Sequence, residues 1–342
     1  MNRSAQLMSS HLLIRNLALA AALVGCIPAA AAEQADASLE AAAAFVQADY
    51  RQREWTRLAA SSRRDELIAA LLIGAPNESQ PALVSAPDTV EQRLRSRFRK
   101  DPLAMFALAL VCQAAGTSCR NPDYQADLVR LAPDNTFHWL VAPVGSAFDG
   151  ASLQQSAAAP ISDSHARELT SIVRESLEDP SQDQVPSGVS AKRLTMFLRL
   201  ELADKVPPPD FSGISALCKK PADTQKAKCI TVGHHLMADA SGLVVSRMVG
   251  SAMVRRLMKG TAEADAAMEL RREYVWLSDN WGSDELQARE ARQVDMIRVG
   301  EMAAWQRSLE RSGLPAKPPV GWSPKDPRHM QLHEDRTPTT EK

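Results

Sequence analysis

Beyond residue 32, no stretch of this 342-residue chain is both long and apolar enough to cross a bilayer, which excludes a membrane-spanning helix there. An excess of one charge is also missing. Forty Lys and Arg face 41 Asp and Glu, a formal net charge of −1, so no electrostatic footprint points to nucleic acid. Glycine is sparse at 15 residues and aromatics make up 5%, while Ala, Leu, Arg and Glu abound, a balance that favours helices. Catalytic signatures are absent as well. Gly145-Ser146 and Gly250-Ser251 lack the GxSxG elbow, and there is no HExxH, glycine-rich phosphate loop or dinucleotide fingerprint, so no cofactor is expected.

What the chain does have begins with an address. Arg3 and Arg15 precede an apolar run from Leu17 to Val24, the form of a secretory signal peptide over residues 1–32. The stretch LVGCIPAAAAEQ that follows carries two cleavage signals at once. Leu23-Val24-Gly25-Cys26 has the form of a lipobox that would tether the product through Cys26, whereas Ala30 and Ala32 form a small-residue cleavage site. Pro28 followed by four alanines favours cleavage after Ala32, giving a free periplasmic product with a lipid-anchored form as the alternative. The 310 residues that remain carry 38 basic and 41 acidic residues, enough chain for one large domain or two smaller ones.

Five cysteines occur, and both fates of Cys26 leave Cys112, Cys119, Cys218 and Cys229. In an oxidising compartment an even set of four reads as two disulfides, with the local pairs the simplest of three connectivities. Loop entropy assigns such closures roughly 2.5 and 2.8 kcal/mol.

Apolar residues recur at helical spacing almost throughout. Leu39, Ala42, Val46 and Tyr50 mark a first helix, and Ser62-Arg63-Arg64-Asp65 has the form of a capping box for a second that ends at Gly74. Residues 75–90 read as a linker, and EQRLRSRFRK from Glu91 as a cationic, solvated helix. The helix openings at Asp65 and Asp101 lie thirty-six positions apart, a period typical of stacked helical hairpins. The triple proline at 207–209 is the best internal boundary, dividing a region 33–206 from a region 207–313, with a Pro- and charge-rich flexible tail over 314–342. Ser283 opens a long charged helix expected to reach Arg311.

Leu128, Leu131, Pro133, Asp134, Asn135, Trp139 and Leu140 resemble the junction between successive tetratricopeptide repeats, where Pro stops one helix and Asp or Asn caps the next. From SRRDELIAALL through LAPDNTFHWL to the later paired cysteines, the chain also resembles a family of uncharacterised exported bacterial proteins that are all-helical and have no assigned activity. That likeness implies an all-α envelope protein and carries no catalytic residues over to this chain.

Candidate chemistry is thin. On a continuous helix His235 and Asp239 would share a face, the minimum for a metal-ligand pair or a general base, while His234 points elsewhere. His329, His333, Glu334 and Asp335 form a second polar cluster in the tail. Trp139, Tyr274, Trp276, Trp281 and Trp305 are the candidate partner-binding aromatics. The expectation is therefore an all-α protein of consecutive antiparallel helical hairpins, tetratricopeptide-like in part and stapled by disulfides. It would bind or scaffold another envelope protein, not nucleic acid. The alternative is an envelope enzyme, metal-dependent through His234, His235 and Asp239.

Overall fold

The computed structural model describes residues 39, 41–74, 89–115, 123–141, 148–281 and 285–332. The signal peptide with Cys26, most of the 75–90 linker, Cys119, Pro143, Ser283 and the residues from His333 onward lie outside this set. Among the described residues the protein is 71% helical, with 15 helices and no strands.

In chain order they are α1 (41–60), α2 (Arg64–Ile73), α3 (Val90–Arg97), α4 (Pro102–Ala115), α5 (Tyr124–Leu131), α6 (Thr136–Leu140), α7 (Gly150–Ala158) and α8 (Ala166–Ser176). Then follow α9 (Ala191–Ala203), α10 (Ser212–Lys219), α11 (Asp223–Met237), α12 (Val244–Leu257), α13 (Ala262–Asp279), α14 (Leu286–Val299) and α15 (Glu301–Arg311).

The sequence of α4, PLAMFALALVCQAA, is apolar all round, so it can only be stable where every side is covered. Eight consecutive residues, Leu103 to Leu110, are buried, with α2, α3 and α5 packed around them. Asp101 accepts from the backbone of Ala104 at 2.9 Å and caps this helix, while Arg64 at the start of α2 reaches the same carboxylate at 2.9 Å. Arg93 of the cationic α3 donates to the carbonyls of Ala59, Ala60 and Ser61, closing the end of α1. One of the five basic residues of α3 and its flank thus has a structural task.

Sequential neighbours pair as hairpins: α4 with α5, α6 with α7, α11 with α12, α12 with α13, and α14 with α15. Other contacts join distant parts of the chain, with α8 on α2, α11 on α7, and α14 on both α8 and α9. One large apolar cluster runs from Leu39 to Leu286, and a smaller one gathers Val244, Trp276, Leu277, Met302 and Leu309. The triple proline separates α9 from α10, but the large cluster passes across it.

Three expectations need correction. Ser62 does not cap α2. Its N-cap is Arg63, without a side-chain cap bond, and Ser61 Oγ takes the Arg63 N–H at 3.0 Å while donating to the Glu66 carboxylate. The charged helix from Ser283 is broken at Gly300, where φ is 88°. There the backbone runs against the turn before α12, and a Cβ on Gly300 would stand 2.7 Å from the Ser241 carbonyl oxygen. The described part of the tail, 314–332, is laid along α13. Trp276 Nε1 donates to Pro315 O at 2.9 Å, Arg272 to Pro319 O at 3.0 Å, and Arg271 to His329 O at 2.6 Å.

The crossing of α11 and α12 is close enough to require glycine. A Cβ at Gly250 would lie 2.4 Å from Gly233 O and 2.8 Å from Met237 N, both fixed backbone atoms. Gly250→Ala should therefore lower the unfolding free energy by about 3 kcal/mol, the upper end of ordinary overpacking costs, read as a fall in the urea midpoint.

Candidate functional site

Asp239 lies past the end of α11, which stops at Met237, so the chain turns back before the carboxylate is reached. Fully buried, it accepts from Ser164 N at 3.0 Å and Ser164 Oγ at 2.8 Å, from Ser241 N and Leu243 N at 3.1 Å each, and from Ser246 Oγ at 2.9 Å. Five donors leave this carboxylate a structural cap for α12 and an anchor for the 162–165 segment. His235 faces elsewhere, its Nδ1 lying 2.9 Å from Thr136 Oγ1 and 3.3 Å from Ser156 O. The structure therefore does not bring His235 and Asp239 together. No group of three or more His, Cys, Asp or Glu among the described residues is placed to hold a metal.

A different histidine pair is brought together. Asn135 caps α6 by accepting from Phe137 N at 3.1 Å, and its amide donates to Asp163 O at 2.9 Å. Backbone pairing between 134–136 and Ile161 draws the 161–165 segment alongside. This places His165 Nε2 3.1 Å from His138 Nε2, with the rings stacked at 5.3 Å and Phe106 against both. His138 Nδ1 donates to Ala132 O at 2.8 Å, which leaves its Nε2 as an acceptor, and the Asn135 amide nitrogen lies 3.4 Å from that atom and 3.2 Å from His165 Nε2. His165 adopts φ 54°, the sole positive φ outside glycine among the described residues. Its backbone N–H is held by Asp163 Oδ1 at 2.9 Å, and Asp163 Oδ1 also accepts from Ser241 Oγ. Burial, with His165 adjacent, holds the His138 imidazole down at about 4. His138 and Asn135 are buried and His165 is partly exposed, and the cluster ties α6 to the 161–165 segment.

A solvent-open cleft lies elsewhere in the fold. A cleft of about 340 Å³ opens between α9, α14 and α15, lined by Leu200, Asp204, Arg289, Arg292, Met296, Glu301 and the two indoles of Trp281 and Trp305, among others. Trp281 is 47% exposed and meets Trp305 edge to face at 4.4 Å, and Tyr274 stacks behind Trp305 at 6.2 Å. Arg292 lies over the Trp281 ring, 5.3 Å from its centroid. Arg289 is tied to Glu201 at 2.7 Å and to Asp204 at 3.5 Å, and Gln293 donates to Asp204 at 3.1 Å. Glu301, first residue of α15, accepts from Val244 N at 2.7 Å. Burial, with Asp239 nearby, pushes its carboxyl above the ordinary range.

Of the aromatics singled out in the sequence, Trp281 and Trp305 line this cleft and Tyr274 supports it. Trp276 is buried, edge-on to Trp322 at 5.4 Å. Trp139 sits on α6, its Nε1 donating to Pro133 O at 2.7 Å. Cys218 and Cys229 form a disulfide that joins α10 to α11. Cys112 is disulfide-bonded as well.

The lining residues Leu200, Asp204, Arg289, Arg292 and Glu301 have no motif in the sequence. Only the clustering of aromatics near residues 274–305 pointed here. Comparison with protein-family models, curated proteins and solved structures returns no match to this chain.

The His138 shift has a consequence for stability. The unfolded imidazole takes its proton near pH 6.5 and the folded one only near 4, so between these values the unfolded state binds more protons. Stability from this residue is complete above pH 6.5 and is lost as pH falls to about 4, roughly 3 kcal/mol in all. Urea titrations of the wild type and His138→Gln across this window should show the steeper decline in the wild type. Parallel curves would refute the assignment.

Proposed function

We propose that this chain is an exported helical binding protein of the bacterial cell envelope and that the cleft between α9, α14 and α15 is the face that holds its partner, another envelope protein. The observation that carries this reading is the composition of the cleft. Two indoles, with Trp281 nearly half exposed, and an arginine over one of them are the residue types that dominate recognition energetics. The cleft lining holds no Ser, Thr, Cys or His that could act as a nucleophile–base pair.

Other features support the setting. The Cys218–Cys229 disulfide suits an oxidising compartment, and the signal-peptide form of residues 1–32 suits export to the periplasm. A second local staple between Cys112 and Cys119 and a tetratricopeptide-like character of the early hairpins belong to the same reading, as does membership of the exported all-helical family that the sequence resembles. No described helix is long and apolar enough to cross a membrane, so a membrane attachment would run through lipid on Cys26.

Pull-down from envelope extract with the wild type and with the Trp281→Ala/Trp305→Ala double variant, followed by mass spectrometry, tests the assignment. The expected outcome is a protein captured by the wild type and lost from a variant with an unchanged melting curve. An identical set captured by both would sink the cleft as the binding face. The mature N-terminus in cells carrying Cys26→Ser tests the address: unchanged maturation fits the free periplasmic form, and trapped precursor fits the lipid anchor.

A further inference from the structure

The cleft lining includes Glu301, a carboxylate that no basic side chain among the described residues pairs with. Among the described residues Glu301 has a single hydrogen-bond partner, the Val244 N–H, and no ion pair, although it is a partly buried member of the cleft lining. Its neighbour Asp239 is itself an acid and adds repulsion, which the Val244 N–H at the start of α12 opposes. The two arginines of the lining do not compensate it. Arg289 is engaged by Glu201 and Asp204, and Arg292 lies over Trp281. A partly buried acid without a cation is costly, and the cost falls when a cation enters.

The indoles add a second, independent pointer. Arg292 at 5.3 Å from the Trp281 centroid shows that the aromatic wall already hosts a guanidinium, and Trp305, backed by Tyr274, continues that wall toward Glu301 one turn along α15. A volume of about 340 Å³ is at the small end of ligand sites and matches a side-chain-sized group.

The geometry points to a cationic group, a primary amine or guanidinium, as what this cleft receives, its charge met by Glu301 and its stem lying against Trp305 and Trp281. The assignment rests on the cleft being the binding face proposed above. The group can come from a free small molecule or from a Lys or Arg side chain of a partner, and the recognition chemistry is the same.

Titration of the full exported chain, followed by tryptophan fluorescence and calorimetry, separates these sources. Agmatine probes the free small molecule, a blocked peptide with one central arginine probes the presented side chain, and glutarate is the anionic control. Saturable binding of agmatine or the peptide, weakened at least about tenfold in Glu301→Gln and absent with glutarate, is expected. The glutamine keeps an acceptor for Val244 N, so an unchanged unfolding midpoint shows that the loss is one of charge. Agmatine as the tighter ligand assigns the site to a small molecule, and the peptide as the tighter assigns it to a partner side chain.

Cation binding unchanged in Glu301→Gln, tighter binding of glutarate, or no cation binding up to about 10 mM would overturn the proposal. If the cation fails while the double tryptophan variant still loses its captured protein, the binding face stands and only the charge assignment falls. If the double variant captures its protein unchanged, the face itself is wrong.

Discussion

Five hydrogen bonds end on the buried carboxylate of Asp239, and through them two separate parts of the chain are held in one arrangement. The bonds from Ser164 fix the segment that carries Asp163 and His165. The bonds from Ser241, Leu243 and Ser246 set the turn and the first turn of α12. That turn in turn receives the α14–α15 hairpin, because Gly300 stands against Ser241 and Gly242, Met302 N donates to Gly242 O at 3.2 Å, and Glu301 takes the Val244 N–H. A buried acid satisfied by backbone and hydroxyl donors is expensive to disturb, since each donor left behind would be buried without a partner.

The cleft inherits its rigidity from this arrangement. Its inner end is built by the Gly300 break and the bond to Val244, and its outer end by Trp281 and Arg292. Between them Asp295 of α14 binds Arg307 at 3.0 Å and Arg311 at 2.6 Å, clamping the two helices of the hairpin together. Arg167 of α8 donates to Ile297 O at 2.9 Å and Arg298 O at 2.7 Å, closing the end of α14 against the segment that Asp239 anchors. Fixed helix ends keep the lining side chains in register without contributing to the lining themselves.

The all-helical class is legible in the sequence because the 3.6-residue apolar period persists nearly everywhere, and Asn135 as a helix cap follows from Pro133 stopping the helix before it. What misleads is spacing read across a helix end. His235 and Asp239 share a face only if the helix continues, and it stops two residues short of the acid. Gly300 fails as a sequence signal for a related reason: one glycine within a charged, periodic run is a weak breaker until the turn at Ser241 is packed against it. The His138–His165 pair and the set of Arg289, Arg292 and Glu301 come from non-sequential contacts, which no local pattern encodes. Trp281 and Trp305 were visible as neighbours in a crowded aromatic stretch, although the same stretch holds the buried Trp276, whose surroundings depend on the tail.

That tail is held in an unusual way. The side chains of Arg255, Arg271, Arg272 and Trp276 all reach its main-chain carbonyls, at Met330, His329, Pro319 and Trp322, and Pro315. A carbonyl oxygen is the same whatever residue bears it. At these points the seat along α12 and α13 reads the path of the chain, while Lys317 on Glu273 at 3.0 Å, Lys325 on the Asp279 carbonyl and Trp322 against Trp276 add contacts that depend on the side chain. A substitution in the tail that keeps the main-chain path leaves these carbonyl contacts in place, whereas loss of one of the arginines removes its contact outright.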